Sequence, residues 1–117
     1  GLDSAIASLK ISDIVGVETD KTFLYNYNLA QNFPNPFNPT TQIQYSVKEE
    51  SSVIISVYNS LGQLITTLFE GTQDSGIHTL SFDAANLPSG IYFYNMKATS
   101  VSTGEQFTKT NKMLLLK

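Results

Sequence analysis

From residue 40 onward the chain alternates apolar and polar positions in short runs. Ile43, Tyr45 and Val47 interleave with Gln42, Gln44 and Ser46, and Val53, Ile55 and Val57 with Ile54, Ser56 and Tyr58. In a third run Leu64, Thr66 and Leu68 face one way and Ile65, Thr67 and Phe69 the other. His78, Leu80 and Phe82 alternate with Ile77, Thr79 and Ser81, and Tyr92, Tyr94 and Met96 with Ile91, Phe93 and Asn95. A last run spans residues 107–116. A period of two puts successive side chains on opposite faces of a strand. Runs of this kind at intervals of about 8–12 residues predict an all-β sandwich or barrel.

The separators carry turn chemistry. Asn59-Ser60-Leu61-Gly62 offers a left-handed backbone position at Gly62, and Asp74-Ser75-Gly76 and Pro88-Ser89-Gly90 do the same. Ser102-Thr103-Gly104 predicts the tip of a hairpin. Ahead of the strands lies Phe33-Pro34-Asn35-Pro36-Phe37-Asn38-Pro39, with three prolines in six residues. Proline fixes its own φ, removes a donor and pushes the preceding residue into an extended shape, which excludes a central strand. The segment is expected either as a stiff strap anchored by Phe33 and Phe37 or as a plain linker. The leader is ambiguous. Leu2, Ala5, Ile6 and Leu9 fit one helical stripe, while Leu9, Ile11, Val15 and Val17 fit a strand broken at Gly16.

Composition narrows the function classes. A chain of 117 residues is the size of one domain. It has no cysteine, so disulfides, thiolate metal sites and thiol chemistry are out. The formal net charge of −3 resides in residues 1–20, which hold Asp3, Asp13, Glu18 and Asp20 against Lys10. The other 97 residues balance six lysines against six acids. No basic stripe suited to phosphate is present, which argues against a nucleic-acid partner. The longest aliphatic run, Leu114-Leu115-Leu116, is too short for a membrane span. No basic segment followed by an apolar stretch opens the chain, so an export address is expected upstream of it or at its other end.

Four segments go beyond pattern. They are Asn32-Phe33-Pro34-Asn35-Pro36-Phe37-Asn38-Pro39-Thr40-Thr41, Val57-Tyr58-Asn59-Ser60-Leu61-Gly62-Gln63, Phe82-Asp83-Ala84-Ala85-Asn86-Leu87-Pro88-Ser89-Gly90-Ile91-Tyr92 and Lys112-Met113-Leu114-Leu115-Leu116-Lys117. In this order and spacing the chain closely resembles the type A C-terminal sorting domain of the type IX secretion system, over residues 28–117. Residues 1–27 then form a leader or the tail of a preceding passenger domain. The resemblance implies an immunoglobulin-like antiparallel β-sandwich of about seven strands, joined covalently to an N-terminal passenger. It also implies a translocon that reads the domain at the outer membrane. A sortase-like protease cuts ahead of the domain in many relatives, leaving the passenger at the cell surface or outside. Pro34, Pro36, Pro39, Gly62, Asp83, Gly90 and Tyr92 carry the structural motifs. The hairpin from Ala98 to Gln106 is longer than usual for the family, and Asn95 stands where a basic residue is common.

Candidate chemistry is sparse. His78 is the only histidine and has no nucleophile or second ligand in reach of pattern, so a structural role is expected and no catalysis. Asp83 and Asn86 suit a turn better than a calcium loop, and no cofactor is expected. Tyr92, Phe93 and Tyr94 are read as core in preference to a sugar-stacking platform. The recognition signal is placed at Lys109, Lys112, Met113, Leu114, Leu115, Leu116 and Lys117. Three consecutive leucines oblige a strand to turn at least one outward, and an apolar edge strand is a hazard unless a partner uses it. Strand addition by a receptor is one such use, with the lysines steering an acidic partner. The leading expectation is a sorting signal. An ancillary carbohydrate-binding module of a secreted polysaccharide-degrading enzyme is the alternative, and a structural spacer the third.

Overall fold

The computed structural model describes residues 25–117. The leader pattern from Leu2 to Val17, ambiguous between helix and strand, lies outside the described residues. Seven strands are described: β1 (Asn28–Leu29), β2 (Thr40–Val47), β3 (Ser51–Asn59), β4 (Leu64–Gln73), β5 (Gly76–Asp83), β6 (Gly90–Ser100) and β7 (Gln106–Leu115). They form two sheets, ordered β1-β2-β5 and β4-β3-β6-β7, with every pairing antiparallel. This is a β-sandwich of the immunoglobulin-like kind. The fourth strand sits beside the third and not in the opposite sheet, as it does in constant-type domains. Among the described residues no helix is long and apolar enough to cross a membrane.

The alternating runs explain the layers. Ile43, Tyr45, Val47 and Phe82 point inward from one sheet, and Val53, Ile55, Val57, Tyr92, Tyr94, Met96, Ala98, Met113 and Leu115 from the other; all are buried. Fully burying a side chain of this size stabilises by about 1.5–3 kcal/mol, so the register that achieves it is strongly preferred over a one-residue slip. Two tyrosines carry polar ends into this core. The Tyr94 hydroxyl donates to the Ala30 carbonyl at 2.6 Å, and the Tyr45 hydroxyl accepts from Gln73 Nε2 at 2.7 Å. Burial pushes both phenols above their ordinary value, partly countered by Asn111 at Tyr94 and by Gln73 at Tyr45.

Strand β4 departs from the expected alternation. Its register against β3 shifts twice, leaving Leu68 and Ile65 without a cross-strand partner. A bulge places two residues against one and re-aims the side chains beside it. Ile65, Leu68 and Phe69 consequently all pack against the core, although strict alternation assigns Leu68 and Phe69 to opposite faces. The sequence also gave no sign of β1, which is only two residues long. Asn26 and Tyr27, on the leader side of the expected boundary, both touch the sandwich. The Asn26 carbonyl accepts from Ser46, and the Tyr27 ring stacks on Phe107 with centroids 5.6 Å apart.

Two glycines hold turns that other residues resist. Gly62 sits at φ +83°, where Asn59 Oδ1 accepts the amides of Leu61 and Gln63. Gly90 opens β6 at φ +151°. A Cβ at either position would meet nothing within 4 Å, so backbone strain and not collision sets the cost of a side chain. Gly62→Val should lower stability by about 1–3 kcal/mol. Denaturant titration checks this, and a change within about 0.5 kcal/mol would be that of an unconstrained surface site.

Candidate recognition surface at the C-terminal strand

The proline-rich segment is a strap that spans the two sheets and closes on the end of the chain. Its X–Pro bonds at Pro34, Pro36 and Pro39 are cis. Phe33 exchanges both backbone hydrogen bonds with Gln42 of β2, at 3.0 and 2.9 Å. Phe37 then bridges to β7 in parallel, donating to the Leu114 carbonyl at 2.9 Å and accepting from the Leu116 amide at 3.0 Å. The strap's start is locked by buried polar groups. Asn32 Nδ2 donates to Thr41 Oγ1 at 2.9 Å and to the Pro34 carbonyl at 3.1 Å, and Thr41 Oγ1 donates to the same carbonyl. At its end the Pro39 carbonyl accepts from the Ala84 amide at 2.8 Å.

The two phenylalanines expected as anchors part company. Phe37 is 2% exposed and packs at a tilt on Phe82, whereas Phe33 is 79% exposed and anchors nothing. Both flank prolines, but only Phe37 falls where the strap crosses the open mouth between the sheets. The Phe33 ring instead stands beside a cleft of about 260 Å³ on the outer side of the smaller sheet, lined also by Gln31, Gln42, Gln44 and Thr79.

The seven residues expected to carry the signal do not form one uniform surface. Met113 and Leu115 are in the core. Leu114 is half-buried and Leu116 is 50% exposed, so these two are the outward leucines. The free edge that strand addition needs is already occupied at this end of β7. Leu114 donates to Asn35 Oδ1 at 2.9 Å and Leu116 to Phe37, while the Lys112 carbonyl accepts from Gln31 Nε2 at 2.7 Å. The lysines separate as well. Lys109 pairs in register with inward-facing Met96 and reaches Asn28 Oδ1 at 3.2 Å, on the side of the smaller sheet. Lys112 pairs with Phe93 on the outer face. Lys117 is tied to the loop after β5, through its amide to Ser89 Oγ at 3.0 Å and its ammonium to the Ala85 carbonyl at 2.5 Å.

The remaining candidates take structural places. His78 stacks on Tyr45 with centroids 5.3 Å apart, and its Nε2 donates to the Asp74 carbonyl at 2.9 Å. Asp83 Oδ1 accepts the Ala85 amide at 2.9 Å, an Asx turn leading into the loop before Gly90. Tyr92 and Tyr94 are 5% and 0% exposed, so they offer no platform to a sugar; the Tyr92 hydroxyl donates to the Pro88 carbonyl at 2.7 Å.

Comparison with known proteins adds an independent line. The family model described as "Secretion system C-terminal sorting domain" matches residues 31–110. Among solved structures, the crystal structure of dimeric latent PorU from Porphyromonas gingivalis superposes with a TM-score of 0.60 at 16% identity, over 78% of this chain. The chain spans only 9% of that protein's length, and a likeness at this identity concerns the fold alone. No curated protein sequence matches.

Proposed function

The chain belongs to the family of secretion system C-terminal sorting domains, and from that premise we propose that it directs a larger cargo protein across the outer membrane through a type IX translocon. The observation that carries this reading is the arrangement of the last residues. Met113 and Leu115 build the end of the chain into the core, Leu114 and Leu116 are turned outward, and the strap holds that end in place. A terminal segment so ordered presents one fixed set of side chains to a receptor, at a smaller ordering cost on binding than a loose tail. In this reading the cargo reaches the periplasm by its own N-terminal signal, and the domain is read there. A sortase-like protease of the kind that serves many relatives then frees the passenger, leaving it at the cell surface or outside. The domain itself performs no catalysis.

The test is sufficiency. A reporter sent to the periplasm and carrying the full chain at its C-terminus should appear outside a host that has the type IX system. In an isogenic host without the translocon it should stay in the periplasm. Equal retention in both hosts would overturn the reading.

A second reading, a carbohydrate-binding module, has one observation in its favour. The exposed Phe33 ring beside the amides of Gln31, Gln42 and Gln44 offers an apolar face with uncharged hydrogen-bonding groups. A module of that kind would leave the reporter's location independent of the translocon, so the same assay separates the two.

A further inference from the structure

We propose that the translocation partner reads this domain through the outer face of the four-stranded sheet, and that this partner is an acidic protein surface bearing a projecting apolar side chain. The inference rests on the sorting reading and names the surface and chemistry by which it operates.

Residues paired in register share a face of an antiparallel sheet. Pairing therefore sets Leu64, Tyr58, Phe93 and Lys112 in one row across all four strands, with Ile91 and Leu114 as the next row. Leu64 is 59% and Ile91 43% exposed, while Tyr58, Phe93 and Leu114 are half-buried. A stripe of apolar side chains crossing a whole sheet is more than the scattered exposed leucines that surfaces normally carry. Beside it opens a cleft of about 290 Å³, between the β3–β4 turn and the loop before β6, where Leu61, Leu87, Pro88 and Ile91 meet the polar Asn59 and Ser89. Concave, mostly apolar space next to a flat stripe suits a single buried anchor from a partner, the arrangement that concentrates binding energy in interfaces.

Charge selects the partner. Residues 90–100 and 106–117 hold Lys97, Lys109, Lys112 and Lys117 and no aspartate or glutamate. Lys97 pairs with Ile54 and Lys112 with Phe93, both on the outer face, and the ammonium group of neither has an ion pair or hydrogen bond among the described residues. The one acid of that face, Glu70, pairs with Ile54 on β4, two strands from Lys97 or about 10 Å. Glu49, Glu50 and Asp74 gather in the turns at the other end of the sandwich, where Lys48 pairs with Glu105 at 3.2 Å, while Asp83 is the acid at the near end, where β5 stops. An acidic partner would thus meet attraction at the stripe and repulsion at the far end, which fixes orientation as well as approach. A second copy of the chain fits poorly, because a two-fold contact centred here sets Lys112 near its own counterpart. Two free lysines also fall short of the clusters of about four to eight that hold anionic lipid. The sheet edge offers less than the face, since the strap occupies it at Leu114 and Leu116.

The experiment uses the reporter carrying the full chain in the type IX host. The pair Ile91→Ser with Leu114→Ser, and separately the pair Lys97→Glu with Lys112→Glu, should each lower export about tenfold or more. Ile77→Ser, at a more exposed apolar residue on the other sheet (59%), should leave export unchanged. Should the serine pair unfold the domain on a melting curve, the lysine pair decides, since both lysines are exposed and their ammonium groups unpartnered. Parent-level export of a folded lysine-pair variant overturns the proposal while the sorting reading stands; translocon-independent behaviour of the parent chain defeats the sorting reading itself. The purified chain is also sedimented with vesicles of anionic phospholipid. Binding that the lysine reversal abolishes assigns the face to a membrane, and likewise overturns it.

Discussion

Replacing Phe37 with alanine should destabilise the domain by about 3–5 kcal/mol, whereas the same change at Phe33 should cost less than about 0.5 kcal/mol. Phe37 is 2% exposed, packs on Phe82 and lies where the strap closes the gap between the sheets. Removing its ring opens a cavity in a place the proline-rich strap, with φ fixed at three positions, has little freedom to collapse into. Domains of this size are stable by about 5–15 kcal/mol in all, so the loss is a large fraction of the total and should lower Tm on the order of 10–30 °C. The Phe33 ring, 79% exposed, loses only solvent. Thermal and denaturant unfolding of the two variants side by side checks the contrast. Equal losses would mean that the strap holds both rings alike. Because Phe37 also bonds Leu114 and Leu116 through its backbone, its substitution loosens the end of the chain that the sorting reading relies on.

The contrast between these two rings marks where the sequence stops being informative. Strands β2, β3, β5 and β6 were legible because each buries one face, and burial imposes period two on the choice of side chains. Two bulges hid the inward face of β4 by bringing Ile65, Leu68 and Phe69 to the same side, and no residue type announces a bulge of that kind. β1 is too short to show a period. Phe33 and Phe37 share the same local chemistry, and what separates them is a contact with β7 nearly eighty positions away, at Leu114 and Leu116. One part of the site was readable and was missed. Lys109 and Lys112 are three positions apart, an odd spacing in a strand, so they must face opposite ways. The outer stripe required the register, since Leu64, Tyr58, Phe93 and Lys112 are neighbours only once four strands are aligned.

Removing Met113 to Lys117 should abolish export, but that deletion also takes away two fully buried side chains, Met113 and Leu115. At about 2–5 kcal/mol each, their loss is comparable with the whole stability of the fold. A reporter stranded in the periplasm would then report misfolding as readily as a missing signal. Removing only Leu116 and Lys117 avoids this. It takes no buried side chain and three exposed or edge hydrogen bonds, to Phe37, Ser89 and Ala85, each contributing about 1 kcal/mol or less. The measurement that bears most directly on the sorting function is therefore the fraction of reporter outside the cell for this two-residue deletion, with a melting curve of the purified chain alongside. The account predicts a cooperative transition no more than about 10–20 °C below the parent's, together with accumulation in the periplasm and export reduced about tenfold. A shortened chain that still folds and reaches the outside at the parent's level would contradict it.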